Sequence, residues 1–236
     1  MQNVIFLSLF LVFLTPVFAF STTNIEYLYG SFDGNSGFDT EGGKSTITVE
    51  NFSTFSYGDF FGFVDLARAN DRFKNADKKS EVYFELSPRV SFSKVLGKEL
   101  AFFFVKDIFL AGQYNRQIHK FDDYHAQLYG AGFDLKVKGF DIFGLNFYKK
   151  EQNFGGHTYQ LSANYISNHI FSTPLVIDGF LDWTTGDFLT QNRLLYDFNY
   201  KVFGAKTYAG TEWHYYRVKD SDIKSNVFQF MVMMKW

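Results

Sequence analysis

Several side chains that could bind a small polar molecule recur at two-residue spacing along the chain. Phe61, Phe63 and Asp65 follow one another in this way, and so do Tyr83 and Glu85. Residues two apart share one face of a β-strand, because successive side chains point to opposite faces. Aromatic rings offer stacking surfaces to a planar ring, and carboxylates accept hydrogen bonds from hydroxyl groups. These segments therefore predict a surface for a neutral solute that carries both kinds of group.

Ionisable side chains also occur inside segments that otherwise alternate. They are Asp65, Glu85, Arg89, Asp107, Asp134, Asp182, Arg193, Asp197 and Glu212. Such groups stay solvated if they line a water-filled lumen, whereas a base that faces lipid costs roughly 2–4 kcal/mol and an acid costs less. The carboxylates would accept hydrogen bonds from solute hydroxyls, and the two arginines would balance their charge. Asp107 shares strand parity with Phe103 and Phe109, which adds two rings to this surface.

Two other interpretations of these residues stay open at this point. Phe61 and Phe63 face lipid if Asp65 lies beyond the rim of the membrane. The charged side chains form a structural ladder if they pair across strands and rigidify a narrow barrel instead of contacting a solute. The direction in which the Phe61 ring points decides between the lumen-facing and the lipid-facing interpretation.

The remaining chemistry is sparse. The histidines show no spacing typical of metal ligands: His119, His125, His157, His169 and His214. The chain has no cysteine, which excludes thiolate metal and redox sites. Neither a nucleophile elbow nor a phosphate loop occurs. We therefore expect no metal, no cofactor and no enzymatic activity, and the net charge of −2 argues against nucleic-acid binding.

The segments that carry these residues alternate with period two almost throughout, which is typical of β-strands. Short turns between them roughly alternate with longer polar loops, such as Gly112–Asp123 and Lys149–Gly156. The pattern predicts 12 strands: 24–30, 45–55, 59–66, 81–94, 99–111, 124–137, 140–149, 157–166, 174–184, 191–202, 205–216 and 223–236. An even number of tilted strands of about ten residues is typical of a transmembrane barrel with both termini at the tight-turn rim.

The aromatic residues favour a membrane barrel over a soluble one. They make up 21% of the chain and cluster near the predicted strand ends: Tyr27, Tyr29, Tyr57, Tyr124, Tyr129, Tyr148, Trp183, Trp213, Tyr215 and Trp236. Rings with a polar tip sit well at headgroup depth. The apolar stripes are also too extensive for the interior of a closed barrel of this length. We therefore expect an all-β antiparallel up-and-down barrel with its apolar face towards lipid and a narrow polar lumen.

Residues 1–19 are typical of a secretory signal. Val4–Leu14 is an apolar run broken only by Ser8, and Val17-Phe18-Ala19 fits a cleavage site after Ala19. We therefore predict a cleaved signal at 1–19 and a barrel domain at 20–236. Export of a chain without cysteine suits a bacterial envelope protein.

The last strand carries an apolar stripe that ends on an aromatic residue. It consists of Phe228, Phe230, Val232, Met234 and Trp236. This stripe resembles the C-terminal signal by which bacterial outer-membrane barrels are recognised for assembly. The expected location is therefore the outer membrane, with membrane lipid and the barrel-assembly machinery as partners.

Several segments also resemble the Tsx/OmpK family of nucleoside-specific outer-membrane channels. They are residues 24–31, 57–65, 84–92, 105–114, 128–134 and 210–213. A Glu-x-x-Pro-Arg piece at Glu85–Arg89 and a Gly-x-Gly piece at Gly130–Gly132 occur in the order and approximate spacing of that family. The resemblance spans essentially the whole chain after the signal and is strongest between residues 24 and 135.

The resemblance implies a monomeric barrel of 12 strands that passes nucleosides and deoxynucleosides, and whose outer loops serve as receptors for bacteriophages or colicins. The residues themselves leave other functions open. One is a channel for another small polar solute, and another is an outer-membrane receptor or adhesin with little conductance. No Ser–His pair has a setting that favours a barrel enzyme.

Overall fold

A closed β-barrel dominates the computed structural model, which describes residues 18–33, 41–69, 80–118, 123–168 and 170–236. Each strand pairs antiparallel with its sequence neighbours, and the first pairs with the last, so the sheet has no free edge. The strands are β1 Phe18–Asp33, β2 Glu41–Phe55, β3 Gly58–Ala69, β4 Ser80–Ser91, β5 Val105–Ile118, β6 Asp123–Leu135, β7 Ile142–Gln152, β8 Gly156–Ser167, β9 Leu175–Thr184, β10 Asp187–Val202, β11 Ala205–Val218 and β12 Lys224–Lys235. The prediction of an all-β barrel of 12 strands is confirmed.

The two faces of the barrel follow the alternation in the sequence. In β12, Phe228 is 70% exposed and Phe230 is 54% exposed on the outer face, whereas Gln229 and Met231, which alternate with them, are buried on the inner face. Four stripe residues, Phe228, Phe230, Val232 and Met234, thus lie on the outer line of the closing strand, and Trp236 directly follows it. An apolar exterior is the arrangement that a bilayer stabilises, because lipid offers no partner to polar groups. The role of this stripe in assembly stays a prediction.

The first strand begins at Phe18, within the predicted signal segment. Residues 1–17 lie outside the described residues, and cleavage after Ala19 stays a prediction. The closing pair of strands runs from Asn24 opposite Lys235 to Gly30 opposite Gln229. The barrel rim where β1 begins and β12 ends is called the terminal rim below, and the other is called the opposite rim.

The fifth strand differs most from its prediction. Residues 99–104 lie outside it, and the strand runs to Ile118, through most of the stretch that the sequence predicted as a loop. Its inner line is polar there, at Gln113, Asn115 and Gln117. Gly112 and Arg116 interrupt the outer line, so the second half of the strand shows no continuous apolar stripe. Phe103, expected to share a face with Asp107, instead lies in a turn and is 94% exposed.

The contrast between short turns and long loops is weaker than predicted. Lys149–Gly156 is mostly strand, with a three-residue turn between β7 and β8. The longest connection at the terminal rim is residues 92–104, between β4 and β5. Elsewhere at that rim, Phe203 and Gly204 both have positive φ (49° and 81°), as a tight hairpin turn requires.

The connection 92–104 opens with a short helix, α1, Phe92–Leu96. Ser91 caps its N-terminus by accepting a hydrogen bond from the backbone of Lys94, and Gly97 ends it in the left-handed conformation. The Lys94 ammonium group donates to the carbonyl oxygens of Phe55 and Gly58 at 2.9 and 3.0 Å. Among the described residues, no helix is long and apolar enough to cross a membrane.

Candidate permeation pathway

Apart from Phe103, the predicted binding residues lie on the inner line of the barrel. Strand parity and inward contacts place twelve of them in the lumen: Phe61, Phe63, Asp65, Tyr83, Glu85, Arg89, Asp107, Asp134, Asp182, Arg193, Asp197 and Glu212. The interpretation in which Phe61 and Phe63 face lipid is therefore wrong. The reason is visible in the register, because Thr48 pairs with Asp65 and donates a hydrogen bond of 2.5 Å to its carboxylate inside the barrel.

Aromatic rings and carboxylates form one wall of the lumen, on β3 and β4. The ring centroids of Phe61 and Phe63 are 6.0 Å apart, and those of Phe63 and Tyr83 are 5.8 Å apart. The Tyr83 hydroxyl donates to Glu85, which also accepts a hydrogen bond of 2.9 Å from Gln113. This aromatic wall therefore places three ring faces beside a carboxylate.

Arg89 joins three strands near the terminal rim. Its guanidinium group makes two hydrogen bonds of 2.8 Å to Asp59 and one of 2.9 Å to Asp134. The same group lies over the ring of Phe109, 4.1 Å from the centroid. A two-pronged contact of this kind matches the planar fork of arginine. These four residues, the Arg89 junction, correspond to the ladder interpretation of the charged residues.

Arg193 is surrounded by more carboxylates than one guanidinium group can neutralise. Its nitrogen atoms lie 3.1 Å from Glu26, 3.2 Å from Glu212, 3.4 Å from Glu50 and 3.6 Å from Asp178. These five residues are called the Arg193 cluster. In the strand order, β12, β1 and β11 separate β10 from β2, so the contact between Arg193 and Glu50 spans part of the lumen.

The three remaining predicted carboxylates have local partners. Asp107 accepts hydrogen bonds from the Ser91 hydroxyl and from two backbone N–H groups, so it stabilises the start of α1. Asp197 accepts a hydrogen bond from the backbone of Asn199 at 2.7 Å. Asp182 accepts one of 2.6 Å from Ser162 farther along the lumen. Asp182 is thus the one of these three in a setting suited to a solute.

Sequence reasoning missed four carboxylates that the fold brings to the arginines: Glu26, Glu50, Asp59 and Asp178. A signal was present for Glu26, because it alternates with Ile25 and Tyr27 on the polar line of β1. Nothing in the order of residues indicates that β1, β2, β9, β10 and β11 meet at one guanidinium group. That convergence follows from closure of the barrel.

Part of the inner wall is apolar, which the sequence analysis did not predict. Leu28, Leu195 and Met231 pack together with three further buried side chains on β1 and β9–β12. Tyr124 and Tyr148, predicted to lie at headgroup depth, face inwards and pack against Ala111 and Leu128. These apolar side chains therefore occupy part of the lumen wall beside the charged ones.

The described residues contain no group of three or more His, Asp or Glu side chains arranged to hold a metal ion. His119 and His169 lie outside the described residues. The lumen side chains among the described residues include aromatic rings, carboxylates, amides and hydroxyls. Their basic groups include Arg89, Arg193 and Lys150, which lies on the inner line of β7.

A closed barrel of antiparallel strands with an apolar exterior and a charged interior defines an outer-membrane channel of the porin class. The family model described as "Nucleoside-specific channel-forming protein, Tsx" matches residues 25–229, and the chain belongs to this family. The family and the fold place the protein in the outer membrane of a bacterium.

One curated protein and several solved structures are also similar to this chain. "Outer membrane protein OmpK" of Vibrio parahaemolyticus is 23% identical over 195 residues, which cover 79% of this chain and 70% of that protein. Among solved structures, the KdgM porin is 13% identical with a TM-score of 0.49, over 89% of this chain and 98% of the other. The opdK outer membrane protein of Pseudomonas aeruginosa is 8% identical with a TM-score of 0.41, over 92% of this chain and 99% of the other.

Proposed function

We propose that this outer-membrane channel passes nucleosides selectively and without catalysis. The observation that carries the proposal is the aromatic wall, where Phe61, Phe63 and Tyr83 line the lumen beside Glu85. The description of the family, a nucleoside-specific channel, supports the same substrate class.

The chemistry of the wall fits a neutral solute with a flat base and a hydroxyl-rich sugar. Stacking of a base on an aromatic ring is worth roughly 1–3 kcal/mol. Asp65, Glu85 and Asp182 offer carboxylate oxygens that can accept hydrogen bonds from sugar hydroxyls. Several weak stations in sequence suit conduction better than one tight site, because a solute must also leave.

Proteoliposome swelling tests the proposal directly. Vesicles that contain the protein should swell faster in adenosine than in a sugar of similar size, and empty vesicles supply the baseline. Equal rates would contradict nucleoside selectivity and favour a channel for small polar solutes in general.

A receptor with little conductance is the second candidate. The observation that favours it is the contact between Arg193 and Glu50, which narrows the lumen between β10 and β2. Planar bilayer recordings separate the two candidates. Discrete current steps that adenosine reduces support the channel, and the absence of current from correctly folded protein supports the receptor.

A further inference from the structure

We propose that the Arg193 cluster makes the lumen selective for cations. The inference rests on the channel class of the protein and not on its selectivity for nucleosides. It concerns Glu26, Glu50, Asp178 and Glu212, which surround a single guanidinium group.

The first argument is the balance of charge. Four carboxylates lie within 3.6 Å of the Arg193 nitrogens, and each carries a negative charge when ionised. The side chains of Glu26 and Glu212 are almost completely shielded from solvent, at 0% and 4% exposure. In such surroundings an excess of negative charge is costly, and either a bound proton or a mobile cation lowers that cost.

The second argument is a set of buried oxygen atoms that have no donor. Glu26 pairs with Arg193 through Oε1, whereas its Oε2 atom is buried and accepts no hydrogen bond among the described residues. The Oδ1 atom of Asn24 and the Oε1 atom of Gln229 are also buried and accept no hydrogen bond among the described residues. Their amide groups donate to Glu50 and Glu212, so both residues adjoin the cluster.

Buried acceptors without donors are rare in folded proteins, and an ordered water or an ion can supply the missing partner. The oxygen atoms here come from two carboxamides and a carboxylate, which are ligands that hard cations accept. Because no described group has the arrangement that holds a resident metal, the expected occupant is a monovalent cation in passage. Anions, by contrast, meet an excess of negative charge at the same point.

The place of the cluster in the barrel gives it control over ion flow. Its members come from β1, β2, β9, β10 and β11, which form almost half of the barrel wall. A permeating ion therefore passes close to these carboxylates.

The experiment measures the reversal potential of the wild-type protein in planar bilayers across a KCl gradient, without any nucleoside. The reversal potential should have the sign expected when K⁺ crosses the membrane more readily than Cl⁻. Replacing one carboxylate, Glu26→Gln, should lower the ratio of K⁺ to Cl⁻ permeability about twofold, since one charge near the path is lost. Glu50→Gln should act in the same direction and keeps the result testable if one variant folds poorly.

A matched control is Glu151→Gln. Glu151 lies on the outer face, is half exposed and pairs with Lys149 at 2.7 Å, so its loss should leave the reversal potential unchanged. A wild-type reversal potential at zero or of anionic sign overturns the proposal. So does a preference for K⁺ that neither lumen variant reduces. Failure of nucleoside selectivity in the swelling assay leaves this measurement unaffected.

A separate observation concerns the connection 92–104 at the terminal rim. We infer that it rests on the lipid surface of the leaflet at that rim. Its apolar side chains point away from the protein: Phe92, Val95, Leu96, Phe102, Phe103 and Phe104 are all exposed, and α1 buries none of its residues. An apolar patch that stays uncovered marks an interaction surface.

The connection is held in this conformation by specific hydrogen bonds. Lys94 is fixed to the turn between β2 and β3, and the backbone of Lys136 donates to Phe104 at 2.6 Å. Phe102 and Val105 exchange two backbone hydrogen bonds. The exposed rings are therefore presented by a defined structure.

Continuity with the lipid-facing surface identifies the partner. On β4 the outer line runs through Leu86 and Val90, both exposed, and leads without a break into Phe92. The lipid-facing line of β4 therefore continues into the first residue of α1. A short element with apolar rings on one side and lysines such as Lys98 beside them is suited to the interface between headgroups and acyl chains.

Because the chain has no cysteine, single cysteines can be introduced and spin-labelled. In vesicles, a label at Phe103→Cys should be accessible to oxygen and protected from a water-soluble nickel chelate. Leu110→Cys, on the outer face of β5, gives the lipid reference, and Lys138→Cys, in an exposed turn of the same rim, gives the water reference. Nickel accessibility at Phe103 equal to that at Lys138 overturns the inference.

Discussion

Two arginines point into the lumen, and their surroundings differ although their exposure is the same, at 13% of the side chain. Arg89 meets Asp59 and Asp134 with short, well-directed hydrogen bonds and a ring beneath it. Arg193 meets four carboxylates at 3.1 to 3.6 Å, and a neighbouring carboxylate oxygen is left without a donor.

The difference lies in how fully the partners of each arginine are used. At the Arg89 junction the donors of one guanidinium group are used by two aspartates, which fastens β3, β4 and β6 together. In the Arg193 cluster the acceptors outnumber the donors, so capacity remains for a passing cation. Both arginines came from the same sequence pattern, and only their partners separate the two roles.

The largest expected effect is that of Arg193→Met. Removing the guanidinium group leaves four carboxylates together in a shielded part of the lumen, and loss of one partner of a buried ion pair costs about 3–5 kcal/mol. Urea unfolding in detergent, followed by tryptophan fluorescence, measures the loss. Adding Glu26→Gln to this variant should restore part of the stability, because one of the crowded carboxylates is then neutral. A double variant no more stable than Arg193→Met would contradict repulsion between carboxylates as the cause of the loss.

Arg89→Met should destabilise the barrel less. Two aspartates lose a partner, and Asp134 remains about one-third exposed, so water can solvate it. Hydrogen bonds to charged groups contribute about 1.5–3 kcal/mol each. We therefore expect the free energy of unfolding to fall by about this amount in the same assay. The reversal potential should stay close to that of the wild type. A change as large as that of Glu26→Gln would remove the distinction between the two arginines.

Phe63 connects the Arg193 cluster to the aromatic wall. Its register partner on β2 is Glu50 of the cluster, and its register partner on β4 is Glu85 of the wall. Phe63→Ala should weaken inhibition of the ion current by adenosine roughly tenfold, through the loss of one stacking face. Phe147→Ala removes a ring of the same size from the outer face and is the control. Unchanged inhibition in Phe63→Ala would exclude this ring from the site.

The smallest effect is expected for Arg116→Gln. Arg116 also pairs with an aspartate, Asp123 at 2.6 Å, but both side chains are largely exposed, at 40% and 48%. Solvent-exposed ion pairs of this kind contribute little to stability. The unfolding midpoint and the reversal potential should match those of the wild type, and a clear loss in either would show that burial is not what distinguishes the three arginines.

The alternation of side chains was sufficient to predict the lumen face of β3 and β4. Phe61, Phe63 and Asp65 share one face of β3, and Tyr83 and Glu85 share one face of β4. If one residue of a strand faces the lumen, the others on the same face do so too. The pattern failed in β5, where Gly112 and Arg116 interrupt the outer apolar line over the second half of the strand. Local sequence cannot recognise a strand whose inner residues make most of their contacts with distant strands.

The sequence by itself determined the class of the protein, its barrel and the apolar exterior, because period-two alternation is a local property that each strand carries alone. Tertiary structure decided which charges meet. Glu26 and Arg193 are separated by 167 positions, and they come within 3.1 Å only because closure of the sheet brings β1 and β10 to one side of the lumen. A charge balance set by such long-range contacts is fixed by strand register and tilt, which no single segment encodes.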